Sequence, residues 1–326
     1  MPPPTIPVPA HSLSEHTREI EVEMVIPVKW LIDQYKITFG IDIRHLVPDG
    51  TEEIKLLRRK DTGYRFWNPS NIVGDSSFYE QLQKNDWYYF PDKWEFERAL
   101  TYLPREPFSL LEVGAAKGDF LKKVQAAAPH SHLTGLELNK SAAEQANAAG
   151  LKVLTQTTAD MRSSSDLLFD VVASFQVLEH LPDPYEVLID LVSMLKPYGR
   201  LIIGVPDNST RPTASLFVQP GSLLNMPPHH QGLWDIRSLS HLIRIFPLRM
   251  ISLEVEPSTA RHHRLGYRGL LKSGLLERHG SILGLGLYAL SRPIFDYALG
   301  RLGEYLPAHS VLAVFEKEQP TLAAAQ

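Results

Sequence analysis

The chain has 326 residues, of which 44% are hydrophobic and 21% charged, the balance of an ordinary soluble globular protein. Thirty-three Lys and Arg stand against 37 Asp and Glu, a net charge of −4, so no basic surface for general nucleic-acid binding is expected. Cysteine is absent, which excludes disulfides, thiolate metal sites and a cysteine nucleophile.

Residues 1–20, rich in proline, read as a disordered tail without the charged start and apolar core of a signal peptide. No run of about 20 apolar residues is present. The expectation is therefore a cytoplasmic protein. Residues 21–105 read as an aromatic-rich α+β extension or lid. Within it KWLIDQYKI suggests a helix, and EEIKLLRRKDTGYRFWNP suggests two short strands around Asp61-Thr62-Gly63. The span Phe78–Leu100 carries a dense aromatic set that includes Tyr79, Tyr88 and Tyr89.

From residue 106 strands and helices alternate. SLLEVG, HLTGLELN, LKVLTQT, FDVVASFQV and RLIIGVP are the strands; DFLKKVQAAA, NKSAAEQANAA and PYEVLIDLVSMLKP are the helices, the last stopped near Pro197 and Gly199. Such alternation predicts βαβ units on a parallel sheet with right-handed crossovers. Residues 207–234 read as a long loop, IRSLSHLIRI as a helix and LRMISLEVEP as a strand. A largely helical insertion follows over 258–308, then a final strand, SVLAVFEKE, and a frayed end at 319–326.

The stretch LLEVGAAKG, Leu110–Gly118, is a strand, a tight turn and a helix start, the arrangement that holds a nucleotide-like group at the carboxyl end of a strand. It is not a dinucleotide fingerprint: Ala116 and Asp119 stand where G-x-G-x-x-G needs glycine, and an acidic helix start faces a pyrophosphate badly. A Walker loop is absent as well. Glu137 ends the next strand, 23 positions after Gly114, where a carboxylate can accept from ribose hydroxyls. Asp160 and Met161 follow the third strand, and Glu179-His180-Leu181 the fourth.

EVGAAKG, LELN, ADM, FDVVASFQVLEHLPDP and LKPYGRLIIGVP, in this order and spacing, resemble the class I S-adenosylmethionine-dependent methyltransferases, the group with an acidic-His-Leu motif after strand four. The resemblance covers roughly residues 105–257 and the last strand. It implies a doubly wound α/β fold with a seven-stranded mixed sheet, order 3-2-1-4-5-7-6, strand seven antiparallel. The methyltransferase domain would run over 106–318. The family loop usually has a middle glycine, for which this chain carries Ala116.

Carried over by position, Glu112 and the loop of Gly114, Ala115, Ala116 and Gly118 would surround the methionine end of S-adenosylmethionine. Glu137 would hold the ribose, Asp160 and Met161 the adenine, and Gln176 would lie near the sulfonium. The segment Asn225–His230 followed by Trp234 is similar to a PPHH-x-x-x-W loop of this group. A hydroxyl acceptor must lose its proton, so His229 or His230 is the candidate base, with a role restricted to holding the loop as the alternative. His180 reads as structural.

Tyr79, Tyr88, Tyr89 and Trp234 are candidates for acceptor contact. Metal is not expected. The turn at Arg59–Gly63 has no cysteine where some relatives carry a zinc knuckle, and adjacent histidines in an extended segment point in opposite directions.

The insertion combines basic and apolar residues and reads as a lid or a homodimer contact before a peripheral membrane contact. The function expected is methyl transfer to a small-molecule acceptor (a sugar, a lipid-linked compound or a secondary metabolite), at oxygen. The alternatives are a non-catalytic scaffold of the same fold and, further off, a nicotinamide-dependent oxidoreductase. Nucleic acid is not an expected partner.

Overall fold

The computed structural model describes residues 20–84, 93–164, 166–209, 223–257, 281–302 and 307–319. Two sheets organise them. The larger is built from β4 (Ser109–Val113), β5 (His132–Leu136), β6 (Val153–Leu154), β7 (Phe169–Phe175), β8 (Leu195–Pro206), β10 (Leu248–Pro257) and β11 (Pro307–Lys317), in the order β10-β11-β8-β7-β4-β5-β6. Pairing is parallel from β8 through β7, β4 and β5 to β6, and antiparallel where β11 meets β8 and β10. Counted along the domain, this is 3-2-1-4-5-7-6 with strand seven antiparallel, as the resemblance implied.

Strand periodicity divides the side chains between two faces. Leu110, Val171, Ala173, Ile202, Leu312 and Val314 join Phe120, Leu121 and Val124 of α4 (Asp119–Ala127) and Phe96 and Ala99 of α3 (Trp94–Leu100). On the opposite face Leu111, Val113, Val172, Ile203, Val205 and Phe315 join Leu188 and Leu191 of α7 (Pro184–Ser193) and Leu239 and Leu242 of α8 (Ile236–Ile245). Burial on both faces explains the nearly continuous apolar runs of β7 and β8. Each fully buried Leu, Ile or Val contributes roughly 1.5–3 kcal/mol.

The smaller sheet is antiparallel, in the order β1 (Ile20–Pro27), β2 (Glu53–Arg59), β3 (Arg65–Asn68), β9 (Gly232–Leu233). It packs with α1 (Val28–Phe39) and α2 (Ser76–Leu82) around Leu31, Tyr35, Ile54, Trp67 and Phe78. The hairpin at Asp61–Gly63 and the helix at 28–39 follow the sequence reading; β1 and β9 do not. β9 is the consequential one. It lies in the segment read as a plain loop and pairs Gly232 with Phe66 and Leu233 with Arg65, tying the chain after the histidines to the N-terminal sheet.

Three boundaries differ from the sequence reading. LKVLTQT shortens to Val153–Leu154, because at the sheet edge pairing ends and α6 (Thr158–Ser164) starts at once. Strand pairing reaches back to Leu195, opposite Phe169, where a helix stop was expected at Pro197; the strand tolerates this through Tyr198, whose φ is 62°. α3 lies within residues 21–105, yet its apolar side belongs to the large sheet's core.

Of the insertion, Ser281–Leu302 forms one helix, α9, with Pro293 inside it and Leu283, Leu290, Ile294 and Tyr297 exposed; residues 258–280 lie outside the described residues. Between α4 and β5 the chain turns at Ala128–Ser131, and α5 (Lys140–Ala148) follows β5. No helix among the described residues is long and apolar enough to cross a membrane.

Candidate active site

At the carboxyl end of β4 the chain turns through three left-handed residues: Gly114 (φ 78°), Ala116 (φ 47°) and Gly118 (φ 76°). A Cβ at Gly114 would overlap Val177 Cγ2, and one at Gly118 would overlap Leu151 Cδ1, so the turn is closed by packing as well as by backbone conformation. The Gly114 and Ala115 N–H groups donate to Leu136 O at 2.9 and 3.0 Å, fixing the turn against β5. Ala116 holds a conformation that glycine adopts freely, at a cost of roughly 1–2 kcal/mol for an L-residue. That cost accounts physically for a glycine preference at this position.

Glu112 sits at the base of the turn, 2% exposed. Its Oε2 has no hydrogen-bond partner. Burial pushes its carboxyl well above the usual carboxylate range; the Lys93 ammonium pulls it back down, and the Asp119 and Glu137 carboxylates push it further up. Glu137 spans the mouth of the turn. One oxygen accepts from Ala116 N–H at 2.8 Å and the other from Asn139 N–H at 2.8 Å.

S-adenosylmethionine, which the resemblance implies, fits these residues. Its methionine end carries an ammonium and a carboxylate. A buried, half-satisfied carboxyl beside a turn at a helix N-terminus is complementary to both.

Asp160 and Met161 lie in the first turns of α6. Asp160 accepts from Thr157 N–H (3.1 Å) and Thr157 Oγ1 (2.7 Å), while Asp160 N–H donates to Thr157 Oγ1 at 3.1 Å. This is a reciprocal capping box, and it holds the Asp160 carboxyl below the usual range through the Thr157 hydrogen bonds. Met161 is buried in the core of the large sheet and accepts from Gln156 Nε2 at 3.0 Å. Gln176, just past β7, is itself left-handed (φ 57°). Its Nε2 donates to Glu95 Oε1 at 3.1 Å and lies 3.5 Å from Ser310 Oγ, linking α3 to β11 at the strand ends.

Three imidazoles meet beside this cradle. His180 ends the short turn Leu178–His180 after β7, a turn that begins just past Val177, the residue packed against Gly114. His229 and His230 both donate their N–H to Met226 O, at 3.1 and 3.2 Å, so their segment is folded, not extended. Their rings consequently stack, centroids 4.3 Å apart at 22°, and His180 meets each edge-on at 4.8 Å. The expectation that adjacent histidines diverge is thereby corrected: the two N–H donations to Met226 O fold the segment so that both rings lie to the same side.

Each Nδ1 hydrogen is accounted for. His180 Nδ1 lies 2.7 Å from His229 O, His229 Nδ1 2.9 Å from Leu224 O, and His230 Nδ1 2.9 Å from Asn225 Oδ1. A carbonyl oxygen only accepts, so in all three rings Nδ1 carries the hydrogen and Nε2 the lone pair. Burial lowers His180 to about 4 and His229 to about 3, and takes His230 well below its ordinary value. All three are therefore neutral near pH 7.

Tyr79 reaches this cluster: its hydroxyl is 3.3 Å from His180 Nδ1 and its ring 6.2 Å from His229. Trp234 does not. It is fully buried against Tyr64, centroids 4.6 Å apart, and packs in the core of the large sheet. Tyr88 and Tyr89 lie outside the described residues. Glu179, fully buried with neither oxygen hydrogen-bonded, is pushed up by burial to about 8. The sequence signal for His180 was present in its motif, but its partners are 49 residues away and only the fold brings them together.

Comparison with known proteins follows the same lines. A family model described as a methyltransferase domain matches residues 88–253, half of the chain. Trans-aconitate 2-methyltransferase of Escherichia coli O17:K52:H18 is 29% identical over 134 residues, 40% of this chain and 53% of that protein. Ubiquinone biosynthesis O-methyltransferase of Aeromonas salmonicida is 26% identical over 128 residues, 36% of this chain and 52% of that protein. The chain thus spans about half the length of the curated relatives it matches. A SAM-dependent methyltransferase of known structure from Archaeoglobus fulgidus aligns with a TM-score of 0.49 at 18% identity, over 73% of this chain and 100% of that one. With the family model, the strand order and the glycine turn in agreement, the chain belongs to the class I S-adenosylmethionine-dependent methyltransferases.

Proposed function

We propose that this protein transfers a methyl group from S-adenosylmethionine to an oxygen of a small-molecule acceptor, and that the acceptor hydroxyl is deprotonated at the histidine cluster. The observation that carries the reading is the cluster of three neutral imidazoles with fixed tautomers, which includes His180 at the end of the turn that follows Val177, the residue packed against Gly114. Two relatives support it by name: one is called a trans-aconitate methyltransferase and the other an O-methyltransferase.

When bound, S-adenosylmethionine supplies an electrophilic methyl group on a sulfonium. The protein's own tasks are then to position and to desolvate. Glu112 would pair with the ammonium of the cofactor, Glu137 would hold the ribose hydroxyls, and Gln176 would line the end of β7 next to the reacting methyl. Asp160 and Met161 would flank the adenine as parts of a capped helix start. His229 and His230 offer Nε2 lone pairs toward the acceptor, His180 joins them, and Tyr79 covers the cluster.

Incubation with S-adenosylmethionine and a metabolite extract is expected to yield S-adenosylhomocysteine and a product whose new methyl group is on oxygen. His229→Ala or His230→Ala is expected to lower turnover by roughly 10²–10⁴-fold while cofactor affinity changes little. Calorimetry that detects binding of neither cofactor form would refute the reading and leave a scaffold of the same fold. Methylation found at nitrogen or carbon would remove the hydroxyl chemistry while keeping the cofactor.

A further inference from the structure

We propose that His180, His229 and His230 bind one divalent transition-metal cation, zinc in the first instance, in a three-nitrogen site with an open fourth position. The inference goes beyond methyl transfer and stands without it.

One nitrogen from each of the three rings lies within 4.8 Å of the others. The ring contacts, 4.3 Å between His229 and His230 and 4.8 Å from His180 to each, bring the three polar rings into one cluster, with His229 and His230 buried and His180 half-buried. A shared cation would turn this close set of ring nitrogens into three bonds. Metal-bound histidines characteristically donate their other ring hydrogen to a carbonyl or carboxylate, which fixes tautomer and orientation. All three rings already do so, to His229 O, Leu224 O and Asn225 Oδ1.

The segment that carries these acceptors is itself anchored. Asn225 Nδ2 donates to Asn208 Oδ1 at 3.1 Å, and Asn225 O accepts from Trp67 Nε1 at 2.7 Å. Leu223 O and Met226 O accept from the Tyr35 hydroxyl at 2.9 and 3.1 Å. The orienting groups thus come from the packed core of the N-terminal sheet, which is how a ligand set is held in place before a metal arrives.

Ligand chemistry sets the choice of ion. Three imidazoles and no carboxylate suit zinc, copper, nickel or iron and do not suit calcium or magnesium, which take oxygen. Zn–N bonds of about 2.0–2.1 Å place ligand nitrogens about 3.4 Å apart in a tetrahedron, so the widest pair must close by roughly 1.4 Å, within reach of ring rotation. Three protein ligands leave a position for water or for an acceptor oxygen, whose acidity the cation would raise.

The test uses the full, untagged chain stripped with chelator. Titration with cobalt is expected to give a saturable visible spectrum of tetrahedral cobalt at one equivalent, displaced by zinc, with zinc binding confirmed by calorimetry. Asn225→Ala, which frees the His230 ring from its orienting contact, is expected to weaken zinc binding roughly 10–100-fold with the circular dichroism unchanged. His180→Ala is expected to abolish the spectrum. A wild-type protein that shows no saturable cobalt spectrum overturns the proposal whatever the variants do. So does a spectrum that survives in a His180→Ala/His230→Ala protein. S-adenosylmethionine calorimetry on the same protein separates the two readings: a protein that binds the cofactor but shows no saturable metal binding sinks only the metal site, and one that binds metal but not the cofactor sinks only methyl transfer.

Discussion

Glu112→Gln is the substitution that separates a cofactor ligand from a structural carboxyl, because the two roles predict opposite signs. In the folded, ligand-free protein burial holds the Glu112 carboxyl well above its ordinary range. The folded chain therefore binds that proton more tightly than the unfolded chain does. Native stability is unaffected below the ordinary carboxylate range and declines as pH rises through and above it. Glutamine has the same shape and no proton to lose, so the stability of the variant relative to wild type is expected to rise as pH is raised from about 4, below the ordinary carboxylate value, to 8 in urea denaturation.

Cofactor binding should move the other way. A hydrogen bond to a charged group contributes roughly 1.5–3 kcal/mol, so S-adenosylmethionine is expected to bind the variant about ten- to a hundredfold more weakly. Because the carboxyl must ionise to pair with the ammonium, wild-type binding should release a proton. Calorimetry in buffers of different ionisation heat reads that release, and the variant should lose it. Equal affinity, or an unchanged proton release, would refute the assignment of Glu112 to the ammonium.

Glu137→Ala removes the acceptor of both Ala116 N–H and Asn139 N–H and is expected to weaken cofactor affinity by roughly 1.5–3 kcal/mol; unchanged affinity by calorimetry would show that the ribose site lies elsewhere. Ala116→Gly relieves a left-handed alanine and is expected to preserve or tighten cofactor binding, so a loss greater than tenfold would mean that the methyl group makes a contact of its own. Glu256 is pushed up to about 7, by burial first and then by the Glu95 carboxylate. From an ordinary 4.5 this removes up to about 3 kcal/mol of stability as pH rises from 4.5 to 7, and Glu256→Gln should flatten that slope in denaturant titrations; an unaltered slope would put the titrating group elsewhere.

What the sequence disclosed and what it concealed divide along physical lines. The apolar runs of β4, β7 and β8 are legible because a strand buried on both faces has few polar positions. The glycine turn is legible because left-handed backbone selects glycine at 114 and 118. The antiparallel last strand came from resemblance; no periodicity announces it. β9 is two residues long, below the length at which any pattern registers. Asp160 reads as a ligand in sequence because a loop carboxylate after a strand has two uses; the fold displays it as a helix cap, which leaves its place beside the adenine a proposal. The histidines misled for a sharper reason: alternation holds only for extended backbone, and a single carbonyl, Met226 O, bends this segment out of it.

That bend ties the histidine segment to the N-terminal sheet. The glycine turn is held from the large sheet and its connections, through Leu136 O, Glu137, Val177 and Leu151. The histidine segment is held almost wholly from the other side. Trp67 N–H donates to Gln231 O at 2.9 Å, Gln231 Nε2 donates to Ile72 O at 2.7 Å, Gly74 N–H donates to Pro228 O at 3.0 Å, and β9 pairs with β3. Two hydrogen bonds stitch it directly to the turn that carries His180: Gln231 N–H donates to Glu179 O at 2.7 Å, and His180 Nδ1–H donates to His229 O at 2.7 Å. The two halves of the site thus have separate supports, and the imidazole cluster sits where they join. A small shift of the N-terminal sheet would move His229 and His230 relative to His180 and to the cradle without disturbing the cradle itself. The aromatic extension, which in sequence reads as an extension or lid, is the frame that holds the histidine segment, and on the proposed function it would set where the acceptor's reacting atom can stand.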